Sequence, residues 1–485
     1  MELKDLIQIE IPRLALFVPE LVVLITGFVL FSLDLIYKRL SHSLAISVSV
    51  IGYTLALLYL VFNFDLRGET FYGLYVRDSF SSLLQIFMIL LTIILLAFTL
   101  QYQRFKKSLY GEFYYLLSFS LLGGMVLASS YNLLLIYIAL EAVSVSFYIL
   151  TALQRRDFTS KEGAFKYLIL GGLAIALASY GAVFLYIYAG SFDLRQVLHF
   201  NAPDKSFLIL GLVFFLFGLA IKIGVVPFHF WLPDAYQGAP TPITAYMSSV
   251  GKVAFFAPVL RVMPLVQEGF HNTWVLVVGT LAVITFLYGN FVALVQKDVK
   301  RMLAYSSIAH SGYILVGVSV ASAIGLKAVI YFLLAYSIMG MLGFLVLAVL
   351  ERSGNWENKL EDFDGLKHSQ NFMAWVFAIA LLSLLGIPPT VGFLAKALIF
   401  MSLAYGKLWW VGILMIVGVG VSTGYYLRLV VLMFMKEGER RAITNPTGFE
   451  KASMVLMAVS LLILGILPML LWNYISPTSE MLFRR

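Results

Sequence analysis

Cysteine is missing altogether from the 485 residues, and charge is scarce: Asp, Glu, Lys and Arg together make up 12% of the chain. Without a thiolate the chain can hold neither a disulfide framework nor a cysteine-ligated iron–sulfur cluster by itself, so any redox chemistry associated with it belongs to a partner. A P-loop is also lacking, which removes ATP as a driving force, and there is no dinucleotide-type glycine loop in a strand–helix context. The six histidines are scattered without ligand spacing, so a metal centre is not expected. Long linkers and low-complexity tracts are absent too, leaving no soluble domain to separate.

What fills the chain instead is apolar residue, 61% of the total. Crossing a bilayer as a helix takes about 20 predominantly apolar residues, and such segments follow one another almost end to end. The short polar–apolar alternation of a membrane barrel is not seen. The sequence therefore predicts an all-α polytopic membrane protein with about 14 transmembrane helices. Among the expected spans are 206–233, 240–263, 299–320, 371–405 and 451–474. The opening MELKDLIQIEIPR is mixed in charge and leads into a run long enough to span, so no cleaved signal is expected.

The formal charge of +8 lies in short clusters between spans, which argues for orientation in a membrane and against nucleic acid. Lys38 and Arg39, Arg104, Lys106 and Lys107, Arg155, Arg156 and Lys161, Lys297, Lys300 and Arg301, Arg352, Lys359 and Lys367, and Lys436, Arg440 and Arg441 all fall on one side of the count. That side is expected to be the cytoplasm of a bacterial-type inner membrane, with both termini on the other. The loops SSYN and PLVQEGFHN, on the opposite side, carry no Lys or Arg.

Two long spans are interrupted by proline. Pro227 removes the hydrogen bond to the Ile223 carbonyl, and Pro388 and Pro389 in GIPPT do the same to Leu384 and Leu385. Carbonyls freed at bilayer depth are tolerated only where protein or water satisfies them. Interrupted helices in corresponding positions of two halves point to a transport site between repeats. Counting five spans per unit gives two inverted five-helix repeats, helices 4–8 and 9–13, with helices 7 and 12 broken. The expected division is 1–110, 111–263, 264–434 and 435–485. Similarity between the repeats is weak, and Lys222 precedes its proline whereas Lys396 follows.

A charged side chain at mid-membrane costs about 3 kcal/mol by insertion scales, so such residues point to function. Glu141, Lys222, Lys252 and Lys396 stand out as a candidate proton relay. Thr244, Ser248 and Lys252 share a helix face, as do Tyr137, Glu141 and Ser144. Ser306, His310 and Tyr313 form a third stripe, with Tyr305 one step round. Lys166 lies near the start of its span, within reach of the surface, and Glu20 beside Pro19 suits a local structural or assembly role. A desolvated lysine loses proton affinity and a nearby carboxylate restores it, so relative movement or hydration can load and unload a proton. The competing reading is a scaffold in which Glu–Lys pairs lock helices together.

The stretches PFHFWLPDAYQGAPTPITA (227–245), KRMLAYSSIAHSGY (300–313) and GIPPTVGFLAK (386–396) resemble the antiporter-type membrane subunits of respiratory complex I. The resemblance extends over nearly the whole chain and is strongest to the subunit N family of NADH:quinone oxidoreductase. Lys396 in the broken helix 12 and VPELV in the first span both look like N, and there is no long lateral C-terminal helix as in the L type. The resemblance implies proton pumping driven by electron transfer from NADH to quinone in partner subunits, which would hold the FMN, the iron–sulfur clusters and the quinone. It implies other complex I subunits and membrane lipid as partners, with protons as cargo and no cofactor bound by this chain. Carried over by motif, Glu141 would pair with Lys222, Lys252 would be the central relay and Lys396 would feed the exit. His229 and Tyr305 would be gates or water organisers, and Lys166 a supporting lysine. Subunits of sodium/proton antiporters and of membrane-bound hydrogenases share these motifs and form the alternative reading.

Overall fold

The computed structural model describes residues 11–37, 40–200, 202–264, 271–353, 356–437 and 445–483. Lys38, Arg39, Arg440 and Arg441 of the basic clusters, most of MELKDLIQIEIPR and most of the 264–272 loop lie outside the described residues.

The chain opens with α1 (Val18–Tyr37) and α2 (His42–Phe62), a small hairpin of β1 (Gly68–Thr70) and β2 (Tyr75–Arg77), and α3 (Ser79–Lys106). The hairpin pairs antiparallel with Glu69 opposite Val76. Asp78 starts α3 by accepting from Ser81 N, while Asp78 N donates to Ser81 Oγ. Next come α4 (Glu112–Ala128), α5 (Leu133–Thr151), α6 (Phe158–Ala189), the short α7 (Leu194–His199), α8 (Ser206–Ile223), α9 (Trp231–Gly238), α10 (Thr241–Tyr246) and α11 (Lys252–Val262). Between α10 and α11 the helix continues as a π segment, Met247–Gly251. The later part comprises α12 (His271–Val295), α13 (Val299–Ser319), α14 (Ala323–Leu350), α15 (Leu366–Ser369), α16 (Asn371–Leu385), α17 (Val391–Tyr405) and α18 (Trp409–Met435). It closes with α19 (Gly448–Ile466) and α20 (Met469–Phe483).

Among the described residues, 11 helices are long and apolar enough to cross a membrane. Shorter apolar helices are α4, α16 and α17. The 21-residue α13 falls outside both groups, because Lys300, Arg301, Ser306, Ser307, His310 and Ser311 dilute its apolar residues. The expected span 206–233 is divided into α8 and α9, and 371–405 into α16 and α17. The last expected span, 451–474, is also two helices. Pro468 has no N–H with which to extend α19, and the chain restarts at Met469.

Two devices recur along the chain. Asn132, which caps α5, forms an isolated bridge with Asp193 beyond α6; Asp298, which caps α13, bridges Lys359 beyond α14. The ends of α8 and α16 also match. Gly224, at φ 80°, donates to Ala220 and Ile221, and Gly386, at φ 88°, donates to Leu382 and Ser383. These left-handed positions suit glycine because a Cβ would strain them.

The core centres on α14, whose membrane-length window is 100% buried. Around it pack α3, α10, α13, α16, α17, α19 and α20. A helix apolar on every side can be enclosed by lipid or by protein, and α14 is enclosed by protein. This enclosure leaves α14 facing the polar side chains of α11 and α13, where the site lies.

Candidate proton-conducting site

The breaks set the positions of two lysines. Lys222 sits one residue before the end of α8, and Lys396 five residues after the start of α17. Their depth therefore arises where half-helices meet, rather than in the middle of continuous spans. At the first break the Ile223 carbonyl, freed by Pro227, accepts a 3.3 Å bond from Ser311 Oγ of α13. Two residues earlier, Trp231 Nε1 donates to the Ile221 carbonyl at 2.8 Å. At the second break Lys396 Nζ donates to both freed carbonyls, Leu384 at 3.0 Å and Leu385 at 2.8 Å.

Lys222 is buried and reaches α5, where its Nζ lies 2.7 Å from Ser144 Oγ and 2.9 Å from Tyr148 OH. Room for the Tyr148 hydroxyl is made by Gly171 of α6, since a Cβ there would meet that oxygen at 1.8 Å. Glu141, Ser144 and Tyr148 follow at helical spacing on one face of α5. Glu141 itself is half-buried and makes no hydrogen bond or ion pair within 4 Å among the described residues. It stands one turn before Ser144, whose hydroxyl Lys222 Nζ contacts.

Lys252 begins α11, directly after the π segment that offsets the helix by one residue. Its Nζ bonds the Ser307 carbonyl and lies 2.5 Å from Ser311 Oγ. Ser311 thus touches both Lys252 and the Ile223 carbonyl beside Lys222. The ammonium of Lys252 also faces the Tyr336 ring at 4.9 Å, and that of Lys396 faces the Tyr313 ring at 5.2 Å. His310 lies between these rings, 4.9 Å from Tyr336 and 5.8 Å from Tyr313. His310 Nε2 is 3.3 Å from Tyr426 OH, which also contacts Ser306 Oγ. Beyond it, Asn290 joins Tyr313 OH and Tyr425 OH at 2.8 and 2.9 Å.

The structure thus brings Lys222, Lys252, His310 and Lys396 onto one buried polar line. Thr244 and Ser248 are buried beside it, but their hydroxyls bond backbone, Tyr236 O at 2.8 Å and Ala245 O at 3.0 Å. His229 is buried past the first break with its ring 4.6 Å from that of Tyr288, and its Nδ1 has no partner among the described residues. Lys166 lies apart. Its side chain is 42% exposed and pairs with Glu162 and Asp234 at 2.6 and 2.7 Å, while Asp234 also pairs with Arg301. Tyr305, half-buried, lines an opening with Lys166, Asp234 and Arg301. Glu20 is buried in a separate cluster, bonded to Tyr75 OH and Gln85 Nε2, each at 2.6 Å.

Residues 130–422 match the family described as "NADH:quinone oxidoreductase/Mrp antiporter, TM". The chain is 54% identical to "NADH-quinone oxidoreductase subunit N 2" of Aquifex aeolicus (strain VF5), with 100% of each covered. It belongs to the subunit N family of NADH-quinone oxidoreductase. Among solved structures, a chain of respiratory complex I from Thermus thermophilus is similar with a TM-score of 0.81 and 32% identity, over 94% of this chain and 98% of that one. A chain of the Mrp complex from Dietzia sp. DQ12-45-1b has the same fold, with a TM-score of 0.87 at 21% identity over 97% and 98%. The family match begins just before α5 and ends within α18, and so takes in both breaks and every lysine on the polar line.

Tyr148, Ser307, Ser311, Tyr336 and Tyr426 complete the site and were not singled out from sequence. Ser307 and Ser311 are four apart, a spacing that puts both on one face of α13. Tyr148 continues the Glu141–Ser144 face of α5, whereas Tyr336 and Tyr426 carry no such signal, because they reach the line from two other helices.

Proposed function

We propose that this multi-pass membrane protein is the proton-translocating subunit N of a bacterial respiratory NADH:quinone oxidoreductase. Electron transfer takes place in partner subunits, which hold the flavin, the iron–sulfur clusters and the quinone. The chain assembles with those subunits in the membrane arm and turns their redox free energy into proton movement.

The observation that carries this reading is the nature of the lysines' partners. Lys222, Lys252 and Lys396 are buried against hydroxyls and carbonyls rather than carboxylates. A hydroxyl can donate or accept, and a carbonyl accepts from an ammonium or an amine alike. Each pocket can therefore hold its lysine with or without the extra proton. A lysine locked to a carboxylate is suited to a scaffold; a lysine among neutral partners is suited to a relay.

In this reading Glu141 tunes Lys222 from a distance, Lys252 passes the proton across the centre and Lys396 delivers it to the exit. Ser311 and His310 join these stations, His229 and Tyr305 organise water near the first break, and Lys166 supports the surface end. Thr244 and Ser248 line the approach to Lys252. The paired bridges and paired glycine breaks support two repeats, 111–263 and 264–434, flanked by 1–110 and 435–485. An odd number of spans in each repeat inverts the second relative to the first. The run of basic residues in loops on one side of the count supports a cytoplasmic assignment for those loops and a non-cytoplasmic one for both termini.

The test is Lys222→Ala in the assembled complex. NADH-driven acidification of inverted vesicles is expected to be lost or strongly impaired while the subunits still co-purify. Pumping at the unmodified rate would refute the role. Co-migration with flavin and iron–sulfur subunits separates this function from that of a free-standing sodium/proton antiporter.

A further inference from the structure

A second constellation lies away from the polar line, where α3 ends, α4 begins, α5 ends and α6 begins. Lys106, Lys107, Ser108, Tyr110, Arg155 and Arg156 line an open cavity of about 360 Å³ there. Positive charge in a membrane-edge loop ordinarily serves orientation and remains solvated. Three features separate this cluster from that default.

The first is unspent charge. Lys106, Lys107 and Arg156 have no ion-pair partner within 4 Å among the described residues. Of the nearby carboxylates, Glu112 holds Arg155 at 2.5 Å, and Asp157, which also lines the cavity, caps α6 through Thr159 N at 2.9 Å. The second is an orphan hydroxyl. Ser108 is 7% exposed, and its Oγ has no hydrogen-bond partner among the described residues although it lines the cavity. Such a group calls for a ligand atom or an ordered water. The third is location. Phe105, Tyr110 and Phe158 are 50%, 36% and 75% exposed around these helix ends. Exposed aromatic rings at span ends mark the headgroup layer of a bilayer.

We infer that this cavity binds the phosphate of an anionic phospholipid headgroup, with Lys106, Lys107 and Arg156 neutralising it and Ser108 Oγ donating a hydrogen bond. Arg155, held by Glu112 and stacked 4.5 Å over Tyr110, forms the wall beside the headgroup. Acyl chains then run down past the aromatic rings. A soluble phosphate satisfies the same cations but gains nothing from the rings.

The test uses the purified native complex, reconstituted in phosphatidylcholine, in an equimolar mixture with phosphatidylglycerol, or in phosphatidylcholine with added inorganic phosphate. Hydrogen exchange in 104–111 and 153–158 reports occupancy, and native mass spectrometry reports the retained lipid. Protection is expected with phosphatidylglycerol only. The pair K107Q/R156Q is expected to lower phosphatidylglycerol affinity roughly thirtyfold, at about 1 kcal/mol for each charge. Ser108→Val keeps every charge and is expected to lower it by about tenfold, one charge-assisted hydrogen bond. Equal protection by inorganic phosphate would overturn the lipid assignment, and no protection by phosphatidylglycerol would overturn the site. Should K107Q/R156Q fail to assemble, Ser108→Val decides alone: unchanged affinity there means a diffuse basic surface and no pocket.

Discussion

Ser311 Oγ stands 2.5 Å from the ammonium nitrogen of Lys252 and 3.3 Å from the carbonyl oxygen of Ile223. One hydroxyl therefore answers the carbonyl that Pro227 leaves free and holds the central lysine. It ties the helix break to the relay.

Ser311→Ala removes both contacts without opening a large cavity. An unsatisfied buried polar group costs about 1–3 kcal/mol. The complex is expected to assemble with a lowered melting temperature, and proton transport should fall several-fold more than the NADH oxidation it accompanies. Parallel vesicle acidification and oxidase assays check this; an unchanged ratio would count against a connecting role for Ser311.

Lys396 has a double task, because it satisfies the carbonyls of Leu384 and Leu385 as well as carrying charge. Lys396→Ala orphans both carbonyls and is expected to destabilise the subunit by about 2–5 kcal/mol. Lys396→Gln restores a donor without a titratable amine. The expected split is recovered stability with pumping still absent, read by thermal unfolding beside vesicle acidification.

Glu141 offers the reverse case. It has no hydrogen bond or ion pair to lose among the described residues, so Glu141→Gln should leave stability within about 0.5 kcal/mol of the original. Turnover is expected to drop because the variant removes the one carboxylate on the α5 face whose Ser144 and Tyr148 contact Lys222. A large loss of assembly in this variant would mean that Glu141 is a structural pin.

The fully buried pair of Arg261 and Asp78 joins α11 to the start of α3, with both Asp78 oxygens 3.0 Å from the guanidinium. Asp78→Ala strands a buried cation and is expected to cost about 3–5 kcal/mol. Exchanging both residues together, Asp78→Leu with Arg261→Met, should recover most of the yield of assembled complex. Failure of that double variant would show that the pair also specifies packing.

Much of the site was legible because charge and proline contrast sharply with an apolar background. Lys222, Lys252, Lys396, Pro227 and the Pro388–Pro389 pair stand out in any reading of the spans. Ser311 and Tyr148 do not. Serine and tyrosine are ordinary in membrane helices, and their contacts with the lysines depend on how α5, α8, α11 and α13 cross. Lys166 was legible too: a position near the start of its helix predicts reach to the surface, and there it pairs with Asp234. The division of the last span was obscured differently: in LGILPML the apolar run continues through Pro468, so hydropathy gives no sign that hydrogen bonding stops.

The enclosure of α14 has a consequence for biosynthesis. Its neighbours include α3 and α10, made before it, and α19 and α20, made after every other helix. Tyr331 of α14 even donates to the Leu464 carbonyl of α19 at 2.7 Å. Until those final helices are inserted, lipid must serve as a temporary wall along one flank of the molecule's central helix. The buried lysine line is therefore closed off from the bilayer on that flank only once α19 and α20 are in place.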